Sequence, residues 1–178
     1  MRAAASHPDD VFEQAELPAK RLRIDRDVLF AGTIREGVQV TWGGAVIASS
    51  GSFMLKARES VAGARIAYDG GRYNNCANRS YYACFQAAIH ALLLEGIRLP
   101  SGGTEWGHDF VQAQFIGQLI NRRHLYASEL RSTLPDNYHL RIRADYEVDA
   151  VTEVRASRAL RRAEVFMQAI VRREEAAG

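Results

Sequence analysis

The sequence contains few cysteines, few prolines and no long apolar run. Its 178 residues include two cysteines and four prolines, with 47% hydrophobic and 25% charged residues. Such a composition is typical of a folded chain, and the length fits one domain. Cys76 and Cys84 fall on one predicted helix, where eight positions span about 12 Å, too far for a disulfide. A disulfide-stabilised scaffold is therefore excluded, and a reducing, cytoplasmic environment is expected.

The sequence also lacks membrane, cofactor and metal signals. Its longest aliphatic run has four residues, 91–94, whereas a membrane-spanning helix needs about 20. The first ten residues have no apolar stretch that would predict a secretory signal. There is no G-x-x-x-x-G-K-S/T, G-x-G-x-x-G or G-x-S-x-G motif. The five histidines are not paired with each other or with a cysteine at metal-ligand spacing, so neither a metal nor a cofactor is predicted.

The formal net charge is small. A value of +2 excludes a strongly basic nucleic-acid-binding tail, although it allows a local basic face. All but two of the 23 basic residues are arginines, which favours forked donors that are always charged.

The chain divides into two parts near residue 52. Residues 1–51 are predicted to be a poorly structured N-terminal extension, because the first 20 residues are polar and acidic and include two prolines. Within this extension, residues 38–47 have alternating apolar positions around a Gly-Gly pair, which predicts a short β-hairpin. An alternative is that Met54 is the natural start of the protein. Residues 52–178 are predicted to form the folded domain.

Helical spacing of apolar residues in residues 52–178 predicts an all-α fold, an up-and-down antiparallel bundle of about five helices. The first helix is expected to stop at Gly70 and Gly71. The second, over residues 73–97, carries two apolar stripes and is predicted to be the central helix. The third is expected over residues 105–123, and its predicted inward residues are Phe110, Ala113, Ile116 (or Gly117) and Ile120.

The last two helices are predicted from a proline and an apolar stripe. A helix beginning near Ala127 is expected to break and restart at Pro135, because an internal proline costs about 3 kcal/mol. The final helix, over residues 151–173, is predicted to bury one stripe that consists of Ala156, Ala159, Ala163, Phe166 and Ile170.

Two polar clusters stand out on these helices. Arg79, Gln86 and His90 share one face of the second helix, although a solvated helix face is the simpler interpretation of this spacing. On the fourth helix Arg141 and Asp145 are spaced i, i+4, with Arg143 and Tyr146 beside them. An ordinary helical ion pair, worth a few tenths of a kcal/mol, is the simpler interpretation.

Four segments resemble the HEPN family (higher eukaryotes and prokaryotes nucleotide-binding domains). Residues 73–88, YNNCANRSYYACFQAA, resemble its central helix, in which Arg-x-Tyr-Tyr-Ala-x-Phe-His-Ala-Ala follows a small or polar residue. Residues 56–60 with 70–73 resemble its first helix and turn. Gly107-His108 followed by Val111 resembles its Ser-His-x-x-Val region, and residues 141–146, RIRADY, match its Arg-x-x-Ala-Asp-Tyr signature. The resemblance spans about residues 52–173.

The resemblance implies a helical bundle that forms a homodimer, binds nucleotide or RNA, and works with a small nucleotidyltransferase partner in a toxin–antitoxin or defence module. Many relatives are metal-independent ribonucleases with an Arg-x(4–6)-His motif. The arginine holds the scissile phosphate, and the imidazole moves the proton of the 2′-hydroxyl.

This chain departs from that catalytic motif. Its literal match, Arg2 with His7, lies in the extension. Tyr146 stands five residues after Arg141, and Gln86 stands where the family often has histidine. Neither side chain exchanges protons efficiently near neutral pH, so whether the protein is an enzyme stays open.

Nucleotide or RNA binding is accordingly the leading prediction. The alternatives are a metal-independent endoribonuclease with an atypical Arg/His or Arg/Tyr site, and a non-catalytic dimerisation scaffold. Candidate catalytic residues are Arg141, Asp145 and Tyr146, or alternatively Arg79 with His90. Predicted ligand-binding residues are Arg79, Tyr81, Gln86, His90, His108 and Arg143, and Tyr81 and Tyr146 are expected to stack on a base. These predictions assume that Arg79 and Arg141 open onto one shared recess.

Overall fold

The structure is a computed structural model that describes residues 50–100 and 105–177. It contains five α-helices: α1 (Ser50–Asp69), α2 (Tyr73–Leu94), α3 (His108–Gln114), α4 (Thr133–Tyr146) and α5 (Glu153–Ala177). A π-helical segment, Phe115–Arg122, continues α3, and a 3-10 turn, Ser128–Ser132, leads into α4. These residues contain no strand, which confirms the predicted all-α fold. The predicted β-hairpin lies outside the described residues.

Glycine ends the first helix where the sequence predicts. The Arg72 N–H donates to the Ala67 carbonyl at 2.7 Å, and the Gly71 N–H donates to the Tyr68 carbonyl at 3.0 Å. This pair of bonds caps a helix through a residue in the left-handed conformation. Gly71 takes that conformation with φ of +68°, which residues with a Cβ rarely adopt. The chain therefore reverses within residues 70–72.

The α2 helix is central, as predicted. Thirteen of its 22 residues are buried, and many are alanines that allow close approach of neighbouring helices. Its polar contacts reach three other helices. Gln86 accepts a hydrogen bond from Ser60 of α1 at 2.8 Å, and Asn78 donates to Asp145 of α4 at 2.9 Å. Near its C-terminal end, His90 Nε2 lies 3.2 Å from a carboxylate oxygen of α5.

The inward face of α3 differs from the prediction. Val111, Phe115 and Leu119 are fully buried, whereas Ala113 is exposed and Phe110 is half-buried. Ile120 is buried as expected. From Phe115 onward the helix is π-helical, with more residues per turn than an α-helix. The buried positions 111, 115 and 119 recur every four residues, whereas the predicted stripe begins one position earlier, at Phe110.

The proline and the last helix follow the prediction. Pro135 is the third residue of α4, in the first turn, where its missing N–H breaks no helical hydrogen bond. The predicted inward stripe of α5, from Ala156 to Ile170, is fully buried. No helix in the described part of the chain is long and apolar enough to span a bilayer.

One buried amide ties three helices together. Asn137 of α4 has no exposed surface. Its Nδ2 donates to Cys84 Sγ of α2 at 3.4 Å and to the Ala159 carbonyl of α5 at 3.3 Å. Its Oδ1 accepts a hydrogen bond from Arg162 Nε at 3.0 Å. The full complement of partners fixes the rotation of α4 against α2, which positions the site described next.

Candidate functional site

The α2 and α4 helices pack antiparallel with two facing polar and aromatic stripes. Asn78 contacts Asp145, and Arg141 lies beside Tyr82. One turn further, the rings of Tyr81 and Tyr138 have centroids 5.3 Å apart. Each stripe repeats at helical spacing, so residues far apart in the sequence contact one another along the α2–α4 interface. We call this interface the seam.

Arg141 is the cation of this seam. Its Nε lies 2.9 Å from Asp145 Oδ2, and its side chain is only 17% exposed. The angle of that contact is poor for a hydrogen bond, since the buried Nε has no hydrogen-bond partner. The guanidinium carbon lies 6.0 Å from the centre of the Tyr82 ring, within the range of a cation–π contact. Burial lowers the pKa of Arg141, but Tyr82 and Asp145 outweigh burial and raise it overall.

Asp145 is held by both helices. Its Oδ1 accepts the 2.9 Å hydrogen bond from Asn78 Nδ2, while Oδ2 faces Arg141. The carboxylate therefore positions the guanidinium and partly neutralises it. A phosphate that binds Arg141 competes with this carboxylate for the same positive charge.

His108 brings an imidazole to the seam from the start of α3. Its Nδ1 lies 2.6 Å from the hydroxyl oxygen of Tyr81. Its ring packs against Phe85 at 4.8 Å and against Tyr138 at 5.4 Å between centroids. Burial first, and then the charge of Arg141, lower the pKa of His108 below its usual value. The lowered pKa favours the neutral imidazole near pH 7. Tyr138, which packs against the ring, stands one turn before Arg141 on α4.

The remaining α4 candidates lie next to this seam. Tyr146 is 74% exposed, which leaves its ring accessible to a base. The Nε of Arg143 lies 2.8 Å from a carboxylate oxygen of Glu147, in a half-exposed pair. Arg143 is thus available at the surface but already partly neutralised.

Tyr81 is too deeply buried for its predicted role of stacking on a base. It has no exposed surface, so its ring offers no face on which a base could stack. Burial raises the pKa of its hydroxyl, which keeps the hydroxyl protonated. Its hydroxyl forms a hydrogen bond with His108 instead.

Arg79, Gln86 and His90 face away from this seam, toward α1 and α5. Arg79 is exposed and lines a groove of about 820 Å³ between α1 and α2; the described lining includes Asn78 but not Arg141. His90 is 1% exposed and lies against Glu174. The predicted polar face of α2 is therefore partly covered by its neighbours, and the groove that Arg79 lines does not have Arg141 among its described lining residues.

Three residues of the seam are not among the site residues predicted from the sequence. Asn78 precedes the predicted Arg79, Tyr82 follows the predicted Tyr81, and Tyr138 stands one turn before Arg141. Tyr138 and Asp145 share the face of Arg141 at i−3 and i+4, so helical spacing around that arginine is the signal that could have found Tyr138. The pairing of Asn78 with Asp145 has no such local signal.

Comparison with known proteins identifies the fold family. The family model described as HEPN domain matches residues 51–174. This chain belongs to the HEPN family. The HEPN match includes every residue of the seam, and it confirms the resemblance predicted from the four segments.

This chain is also similar to a protein from an archaeon. A protein of Methanocaldococcus jannaschii named "Putative toxin MJ0605" is 28% identical over 117 residues, which are 64% of this HEPN chain and 80% of that protein. Clusters of histidine, cysteine and acidic residues suited to a metal ion are absent from the part of this HEPN chain that the structure describes.

Proposed function

We propose that this HEPN domain binds RNA or a nucleotide through a phosphate at Arg141, in a toxin-type role. The observation that carries the proposal is the seam itself, where Arg141 pairs with Asp145 beside exposed Tyr146 and His108 packs against Tyr138, one turn before Arg141 on α4. A guanidinium suits a phosphate because its forked donors match two phosphate oxygens. An accessible tyrosine suits the adjoining base. The toxin-type role is supported by the similarity to the protein of that name.

The proposal also includes the partner, the oligomeric state and the location of the protein. A small nucleotidyltransferase partner, a homodimer and a cytoplasmic location follow from the family resemblance, and they belong to the proposal. Size-exclusion chromatography with light scattering measures the oligomer directly. Co-purification with a co-expressed candidate nucleotidyltransferase tests the partner.

The binding test compares Arg141→Ala with Arg65→Ala. Arg65 also pairs with a carboxylate, Glu164 at 2.6 Å, but on the α1–α5 surface. Fluorescence anisotropy with a labelled RNA hexamer should show weaker binding for Arg141→Ala and little change for Arg65→Ala. For the wild type, affinity should fall as salt rises, because phosphate contacts release counterions. Equal binding by both variants would refute Arg141 as the phosphate ligand, and salt-independent binding would contradict a phosphate site.

A second candidate function is a metal-independent endoribonuclease. It is favoured by the imidazole of His108, which packs against Tyr138, one turn before Arg141 on the same helix. In such a reaction the 2′-hydroxyl gives its proton to a base and its oxygen attacks the adjacent phosphate. The 5′-oxygen leaves with a proton, and a cyclic phosphate remains. Here His108 is the better proton carrier than Tyr146 or Asp145, because an imidazole titrates nearest to neutral pH.

Incubation of pure protein with RNA in EDTA separates the two functions. Cleavage that survives EDTA and disappears in both Arg141→Ala and His108→Ala would establish the enzyme. Binding without cleavage would leave the first function. Absence of both would favour a dimerisation scaffold.

A further inference from the structure

The hydroxyl of Tyr81 selects one proton arrangement of His108. Tyr81 is fully buried, and its oxygen lies 2.6 Å from His108 Nδ1. Within residues 50–100 and 105–177 this is the one hydrogen bond of the Tyr81 hydroxyl, and the same holds for the His108 ring. The proton of the bond must therefore lie either on Tyr81 or on Nδ1.

The proton belongs to Tyr81 when His108 is neutral. If Nδ1 carried it instead, the buried Tyr81 hydroxyl would have no acceptor for its own hydrogen, and a buried donor without a partner is costly. With Tyr81 as donor, Nδ1 accepts and both groups are satisfied. A neutral imidazole carries one proton, so that proton must sit on Nε2.

The rest of the pocket holds the ring in this orientation. Phe85 from α2 and Tyr138 from α4 pack on the imidazole, and neither Tyr82 nor any other described side chain hydrogen-bonds to Nε2. Nε2 is also not among the buried atoms that lack a partner, so it reaches solvent. The charged groups that act on the ring are Arg141 from α4 and Asp109 from α3, with opposite effects on its pKa.

We infer that Tyr81 is a positioning residue that makes His108 an Nε2–H donor to a phosphate oxygen bound at Arg141. This inference rests on the proposed phosphate site and adds the atom that donates. At the proposed site, an Nε2–H donor would add one hydrogen bond to those that the guanidinium makes with the phosphate. The same arrangement opposes the nuclease alternative, since a protonated Nε2 has no lone pair to accept the 2′-hydroxyl proton.

The first experiment is a nitrogen NMR spectrum of the full chain near pH 7.5, with the His108 signals assigned by their loss in His108→Gln. In the wild type Nε2 should have the shift of a protonated nitrogen, and Nδ1 that of an unprotonated one. Tyr81→Phe should raise the population of the Nδ1–H form at least several-fold, because the donor is gone. Tyr138→Phe, a matched removal of a hydroxyl in the same aromatic cluster, should leave the spectrum unchanged. A wild-type Nδ1–H form, or equal responses of the two variants, would overturn the inference.

The second experiment uses a labelled 2′-O-methyl RNA hexamer, which cannot be cleaved through a 2′-hydroxyl. His108→Gln keeps an N–H donor at a similar reach and should bind within about 3-fold of the wild type, whereas His108→Ala should bind about 10-fold more weakly. Equal losses in both variants would contradict the donor role.

The two experiments separate this inference from the proposed function. If the spectrum shows the Nε2–H form but the hexamer does not bind, the phosphate site fails and the Tyr81–His108 assignment stands. If the hexamer binds through Arg141 but the spectrum shows the Nδ1–H form, the phosphate site stands and the inference is wrong.

Discussion

Replacing Asp145 with asparagine is expected to strengthen phosphate binding. Asp145 Oδ2 lies 2.9 Å from Arg141 Nε, so a phosphate on the outer side of the guanidinium would lie about 6 Å from the carboxylate. Two unit charges about 6 Å apart repel by about 2.8 kcal/mol at an effective dielectric of about 20, and by about 0.7 kcal/mol in bulk water. Removing the negative charge should therefore tighten binding by about 3- to 100-fold.

The partial exposure of Arg141 and Asp145 indicates where in this range the gain in affinity should lie. The Asp145 side chain is 27% exposed, so solvent screens part of the repulsion, and about 10-fold is the expected gain. Asparagine keeps the acceptor for the 2.9 Å hydrogen bond from Asn78. The free energy of unfolding should accordingly fall by no more than about 1 kcal/mol.

Anisotropy with the labelled RNA hexamer at two salt concentrations measures the effect. The gain should shrink at the higher salt, because screening weakens the repulsion that is removed. Asp136→Asn is the control, since Asp136 is an exposed residue in the first turn of the same helix and should change binding little. Weaker or unchanged binding by Asp145→Asn, with an intact melting curve, would refute the competition between Asp145 and phosphate.

Three further predictions concern stability. Phe115→Ala should cost about 3–5 kcal/mol, because its fully buried ring packs against Phe166 and Tyr126; an unchanged urea midpoint would contradict this packing. Asn137→Ala should cost about 2–4 kcal/mol, since it removes the hydrogen bonds to Cys84 Sγ, the Ala159 carbonyl and Arg162 Nε and leaves a cavity; thermal melting that matches the wild type would contradict a stabilising role of this amide. Burial and the charge of Arg141 hold the pKa of His108 below 6.5 in the folded protein. As pH falls, His108 therefore becomes protonated in the unfolded chain at a higher pH than in the folded one. The free energy of unfolding should therefore decline from about pH 6.5 downward, and His108→Gln should flatten that slope in urea titrations; parallel slopes in both proteins would contradict the shift.

Much of the helical framework can be predicted from local sequence. Gly70 and Gly71 end α1, and Pro135 restarts the fourth helix in a first turn, because both residue types act on the backbone within one or two positions. The buried stripe of α5 and the i, i+4 pair of Arg141 with Asp145 follow from helical spacing alone. Each of these features depends on residues at most one or two turns apart.

The inward face of the third helix is the first feature that local spacing predicts wrongly. Its fully buried residues are Val111, Phe115 and Leu119 and not the stripe predicted from Phe110, and the local pattern contains no signal for the π-helical turns of Phe115–Arg122. Packing of Phe115 against Phe166 of α5 decides which side faces the core.

The site shows a second limit of prediction from the sequence. Tyr81, His108 and Tyr138 lie far apart in the sequence, yet one hydrogen bond and one ring contact join them. Whether Arg79 or Asn78 faces α4 depends on the rotation of α2, which a difference of one position changes by about 100°. Backbone preferences decide where each helix begins and ends, whereas only the packing of helices against one another decides which side chains meet, because that rotation is set by contacts between distant segments.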